Sequence, residues 1–132
     1  MILIDTGAFV AFYRSNDQHH REAAKLWPSI KPPFVVTNHI IDELATGLGR
    51  LAGFEYACDR IEDVHNSPLI DILYSTRHDE ADALVWMRKF AHQKVSFTDC
   101  VSFAVMRRRK IGTAFTFDRH FRMAGFGVIG LK

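Results

Sequence analysis

The chain has 132 residues, is 48% hydrophobic and 24% charged, and carries a net charge of +2. These figures suit one domain over residues 1–132 and exclude disordered, collagen-like and low-complexity classes. Two cysteines without CxxC spacing exclude a disulfide scaffold, and no apolar run nears the ~20 residues that span a bilayer. Met1-Ile2-Leu3-Ile4-Asp5 lacks the basic start of a secretory signal, so the cytoplasm is the expected compartment. The charge is uneven: residues 107–132 carry seven Lys/Arg against Asp118 alone, while residues 1–106 are net acidic.

Ile2–Ile4 is an apolar run ending on Asp5 and reads as a first strand. Ala8–Tyr13 is apolar all round and suggests a buried helical turn. From Asp17, residues His20, Ala23, Ala24 and Trp27 recur at helical spacing until Pro28. Phe34–Thr37 is a second strand. Asn38 is placed to cap the next helix, with Ile40, Ile41, Leu44, Leu48 and Leu51 as its apolar positions. Gly53 separates it from a helix with Phe54, Ala57, Cys58, Ile61 and Val64 on one stripe. Leu69–Tyr74 reads as a third strand, and a helix from Asp79 carries Ala81, Leu84, Val85 and Ala91 on one side. Asp99 opens an apolar helix to Lys110, broken by Ile111-Gly112. Thr113–Phe117 is a strand ending on Asp118, and Gly125–Leu131 holds a final short strand. Strands alternating with helices predict an α/β fold, a central parallel sheet flanked by helices on both faces.

The acids sit where such a sheet ends. Asp5 and Asp118 each follow a strand, Asp99 opens a buried helix, and Glu43 lies in the first turns of the helix after strand two. Ligands of open α/β sheets bind outside the carboxyl ends of the strands. Gathered carboxylates repel, and hard divalent cations such as Mg²⁺ or Mn²⁺ remove that penalty. An acidic site with such an ion suits phosphodiester hydrolysis by metal-activated water. The plain alternative for each acid is a turn former or helix cap, Asp99 above all. Asp79, with Asp17, Asp42 and most other acids, reads as part of a solvated face.

Four segments carry a resemblance: Ile2-Leu3-Ile4-Asp5-Thr6, Ile41-Asp42-Glu43-Leu44, Phe97-Thr98-Asp99-Cys100-Val101 and Phe115-Thr116-Phe117-Asp118-Arg119-His120-Phe121. In order and spacing they resemble the acidic motifs of PIN-domain proteins, most of all the small VapC-like toxin ribonucleases of type II toxin–antitoxin systems. The resemblance implies a Rossmann-like sheet, Mg²⁺ or Mn²⁺, endonucleolytic RNA cleavage and a cognate antitoxin protein. It makes Asp5, Glu43, Asp99 and Asp118 the acidic quartet and metal ligands, with Thr6, Thr98 and Thr116 as supporting hydroxyls.

Arg119 and His120, directly after Asp118, are candidates to meet substrate. Arg107-Arg108-Arg109-Lys110 ends a helix, where cations either complement the dipole or meet RNA phosphates. His19-His20 lacks the spacing of a helical metal pair and reads as surface. Phe9, Phe12, Tyr13, Trp27, Phe54, Tyr56, Trp86 and Phe90 supply more aromatic surface than a small core hides, which with the resemblance suggests a homodimer. Two other functions remain open. One is a PIN-like RNA-binding or interaction module without turnover. The other is a Mg²⁺-dependent phosphatase with Asp5 as nucleophile, which wants an acid at position 7, where this chain has Gly.

Overall fold

The computed structural model describes residues 1–131. One sheet contains β1 (Ile2–Ile4), β2 (Phe34–Thr37), β3 (Ile70–Leu73), β4 (Thr113–Phe115) and β5 (Gly127–Ile129). All pairings are parallel, and the spatial order is β3-β2-β1-β4-β5. Between the strands lie α1 (Thr6–Tyr13), α2 (His20–Leu26), α3 (Asn38–Ala52), α4 (Phe54–Asn66), α5 (Arg77–Lys89), α6 (Phe97–Arg109) and α7 (His120–Met123). This is the expected α/β architecture. Successive strand residues point to opposite faces. Leu3 and Ile4, Val35 and Val36, and Ala114 and Phe115 are all buried, so both faces of the sheet are covered. Phe9, Phe103, Phe115 and Phe121 are fully buried; each such ring contributes roughly 1.5–3 kcal/mol by leaving water.

Strand order reverses at the centre. The chain steps outward from β1 to β2 and β3, then crosses back to β4 beside β1. Neighbouring loops after β1 and β4 therefore diverge and leave a crevice at the carboxyl edge, where open sheets bind ligands. Asp5 follows β1, and Thr116 and Asp118 follow β4. Strand β4 stops two residues short of the expected Phe117, and the Thr116 N–H donates to Ile129 O. Gly130, at φ +120°, makes that close approach possible: a Cβ there would collide with Thr116 O. Helix α7 has four residues and no hydrophobic period to betray it.

Several local expectations change. Thr37, not Asn38, caps α3, its hydroxyl accepting from Ile40 N. Asn38 Oδ1 instead accepts from Ser75 N and ties α3 to the loop after β3. Helix α5 is rotated from its expected face. Ala81, Leu84, Val85 and Ala91 face solvent, while Asp79 and Ala83 are buried and Trp86 is half-buried. Leu51, Phe54 and Cys58 are also exposed. The aromatic surplus is largely absorbed: Phe9 and Phe90 are buried, Phe12, Tyr13, Trp27, Tyr56 and Trp86 are half-buried, and Phe54 is open to solvent.

Asp79 lies on the packed face of α5 with Ala83 and Trp86 and is fully buried rather than solvated. Its carboxylate takes a forked pair of hydrogen bonds from Arg108, Nε–Oδ1 2.7 Å and Nη2–Oδ2 2.9 Å. It also closes a capping box with Thr76, whose hydroxyl accepts from Asp79 N while Thr76 N donates to Asp79 Oδ2. Burial alone raises a carboxyl pKa; here the Arg108 and Thr76 donors overcome it and hold Asp79 below its usual value. Arg108, itself partly exposed, thus pins α6 to α5. Arg107 lies over the Trp86 and Phe126 rings and donates to Ala124 O, and Arg109 is exposed. Arg108→Ala should cost about 2–3 kcal/mol in urea unfolding, below the ~3–5 typical of a broken buried pair because Arg108 is partly exposed. Arg109→Ala should stay within about 0.5 kcal/mol of the parent chain.

Candidate active site

Each acid reaches the crevice by a different local device. Asp5 is the N-cap of α1, its Oδ1 accepting from Thr6 N at 2.9 Å. Its other oxygen accepts from the Thr116 hydroxyl at 2.7 Å, and that hydroxyl in turn accepts from Asp118 N at 2.9 Å. One threonine therefore positions acids from both central strands. Asp99 does not cap its helix. Ser96 does, its hydroxyl accepting from Asp99 N at 3.1 Å, which leaves the Asp99 carboxylate free of that duty. Asp118 Oδ1 accepts from His120 N at 2.8 Å, a turn that sets the His120 ring beside the carboxylate. Glu43 projects from the second turn of α3 and is exposed.

All four acids line one cavity of about 670 Å³, with Gly7, Lys94, Ser96, Phe117, Arg119, His120 and Leu131. Within it, ligand atoms of Asp99, Asp118 and His120 lie within 4.8 Å of one another. Asp5 and Glu43 stand outside that tight group. The three threonines separate. Thr116 holds Asp5, whereas the buried Thr6 hydroxyl has no partner, and Thr98 is half-buried without a side-chain bond to the acids among the described residues. Arg119 and His120 both face the cavity. His19 and His20 are half-buried: His20 Nδ1 lies 2.8 Å from Ala11 O, and His19 stacks on Phe117 at 4.6 Å. Sequence reasoning missed Lys94 and Ser96. Lys94 sits at a left-handed position closing a short turn, φ 56°, and no motif marks it.

Electrostatics set these acids apart from Asp79. Burial pushes Asp5 well above the usual carboxylate range, against the Thr116 bond, with Glu43 and Asp118 adding to the rise. Asp99 is raised further, by burial and then by the charges of Asp5 and Asp118. Among the described residues no cation pairs with Asp5 or Asp99. The donor set fits a divalent cation: buried carboxylates without a cation partner and a neighbouring imidazole, all lining one cavity.

Residues 2–127 match the family model described as PIN domain. The chain belongs to the PIN domain family. Its PIN domain is 36% identical over 127 residues to the 23S rRNA-specific endonuclease VapC20 of Mycobacterium tuberculosis, covering 96% of this chain and 95% of that protein. It is 29% identical to a VapC ribonuclease of Archaeoglobus fulgidus, over 95% of this chain and 81% of the relative. The crystal structure of VapC20, described as a Sarcin-Ricin loop cleaving toxin, superposes with a TM-score of 0.88 and 32% identity, over 96% of both chains. FitAcB from Neisseria gonorrhoeae shares the fold of this PIN domain, with a TM-score of 0.72 at 20% identity over 98% of this chain and 96% of that one.

The raised acids have a consequence for stability. Between the unfolded carboxyl pKa, about 3.9, and the raised folded values, the folded chain holds more protons than the unfolded one. The stability from this source is fully present below the unfolded value and is lost as pH rises through the folded values. In chelator the melting temperature should therefore fall from about pH 5 to pH 8, and Asp99→Asn should flatten that slope. At neutral pH in chelator, Asp99→Asn should melt at or above the parent temperature. Millimolar Mg²⁺ or Mn²⁺ should raise the parent more than the variant, since only ion bound to the native state stabilises it. An equal metal response in both would remove Asp99 from the ion's site.

Proposed function

We propose that this protein is a Mg²⁺- or Mn²⁺-dependent endoribonuclease, the toxin of a toxin–antitoxin pair acting in the cytoplasm. The observation that carries this reading is the pair of buried, cation-free carboxylates, Asp5 and Asp99, facing an open cavity at the sheet's switch point. Asp5 and Asp99 would hold the ion centrally, with Asp118 and Glu43 completing the site. A divalent ion there lowers the pKa of water and neutralises charge on phosphoryl and leaving oxygens. Thr116 fixes the Asp5 carboxylate and, through Asp118 N, the loop carrying Asp118. Lys94 and Arg119 face the same cavity as the acids and suit the phosphates of RNA. The VapC20 likeness makes a sarcin–ricin-type RNA hairpin the first substrate to try.

The cognate antitoxin would offer an Arg to the acidic pocket, because a forked guanidinium suits clustered carboxylates. A homodimer would cover part of the exposed apolar side chains Leu84, Val85 and Met87 of α5.

Purified protein should cleave the hairpin in Mg²⁺ or Mn²⁺ and not in chelator. Asp5→Asn and Asp99→Asn should each lower the rate by about 100-fold or more, the scale of lost charge stabilisation in the transition state. Thr116→Val, which keeps the Asp5 carboxylate but removes the bond that orients it, should lose about tenfold. Cleavage by either Asn variant at the parental rate sinks the assignment. Light scattering at micromolar concentration should give twice the chain mass.

A further inference from the structure

Asp118 and His120 flank Arg119 in one tight turn, and the two side chains meet at the cavity wall. His120 Nδ1 stands 2.9 Å from Asp118 Oδ1. The two are not aligned for a hydrogen bond, and Nδ1 is closed to water with no other partner. Asp118 Oδ1 already accepts from the His120 backbone N–H. A shielded ring nitrogen without a partner is costly unless something else meets it. Two neighbouring ligands of an octahedral ion, each about 2.1 Å from it, lie roughly 3 Å apart. The Nδ1–Oδ1 spacing has that length, and a ring nitrogen of His120, a carboxylate oxygen of Asp118 and one of Asp99 all lie within 4.8 Å of one another.

We propose that His120 is a metal ligand, supplying a nitrogen beside Asp99 and Asp118, so that the site selects Mn²⁺ over Mg²⁺. The proposal rests on the metal-dependent reading above and assigns His120 a part beyond substrate contact. Its chemistry follows from ligand softness. Mg²⁺ keeps oxygen ligands and waters, whereas imidazole suits borderline transition ions. Replacing one oxygen by nitrogen therefore penalises Mg²⁺ more than Mn²⁺.

The experiment uses the full chain and the metals alone, without RNA. Titration calorimetry should show Mn²⁺ binding at least about tenfold tighter than Mg²⁺. Pulsed electron paramagnetic resonance of the Mn²⁺-loaded protein should show ¹⁴N modulation from a directly bound imidazole. In His120→Gln that modulation should vanish and Mn²⁺ affinity should drop by about tenfold, with Mg²⁺ affinity changed far less. His120→Asp, which restores an oxygen, should bind Mg²⁺ better than the parent and also lack the modulation. Mn²⁺ binding without ¹⁴N modulation in the parent overturns the proposal and leaves the nuclease reading standing. Modulation that persists in His120→Gln overturns it in favour of another nitrogen. A parent chain that binds neither ion overturns both this proposal and the metal-dependent reading. The parental spectrum decides the point even if a variant fails to fold.

Discussion

The Thr116 hydroxyl donates to Asp5 Oδ2 at 2.7 Å and accepts from Asp118 N. This bridge spans the ends of β1 and β4, the two strands at which the sheet's connections reverse. One oxygen thus orients the Asp5 carboxylate and anchors the backbone of Asp118. The rest of the site is arranged around that pair. Helix α6 delivers Asp99 on a turn capped by Ser96, and α3 delivers Glu43 from the strand next door. Gly130 allows the strand-like pairing of Thr116 with Ile129 that holds the bridge in place.

The molecule treats buried acids in two ways, and the contrast separates structure from chemistry. Asp79 is satisfied completely, by an Arg108 fork and a capping box, and its pKa falls. Asp5 and Asp99 are buried without a cation, and their pKa values rise. A fold tolerates such unfavourable charge only where something else compensates it. Asp79 therefore belongs to the core and the other pair to the crevice, although all three are aspartates near element ends. Neighbouring arginines divide the same way. Arg108 faces inward to Asp79, while Arg109 stays in solvent.

Much of the plan was legible in the chain. Apolar runs at Ile2–Ile4 and Phe34–Thr37 gave the inner strands, since residues buried on both faces form continuous hydrophobic segments. Acids placed after such runs marked the carboxyl edge, which made Asp5 and Asp118 candidates by position; the resemblance, not position, made them members of a quartet. Periodicity misled at α5. Leu84 and Val85, read as part of the inner stripe with Ala81 and Ala91, lie in solvent, while Asp79, Ala83 and Trp86, themselves at helical spacing, form the packed face.

Local pattern thus sufficed for the parallel α/β plan and for the residue types at its edge, because strand burial and element ends leave one-dimensional marks. Long-range pairings leave none. Nothing in the chain links Thr116 to Asp5 across 111 positions, Arg108 to Asp79, or the cavity to Lys94. Nor does sequence order tell a capping acid from a free one. Ser96 takes the cap and releases Asp99, and Asp118's turn sets an imidazole nitrogen beside a carboxylate without bonding to it. Those outcomes depend on angles and solvent exclusion, which exist only after the sheet has brought separate strands side by side.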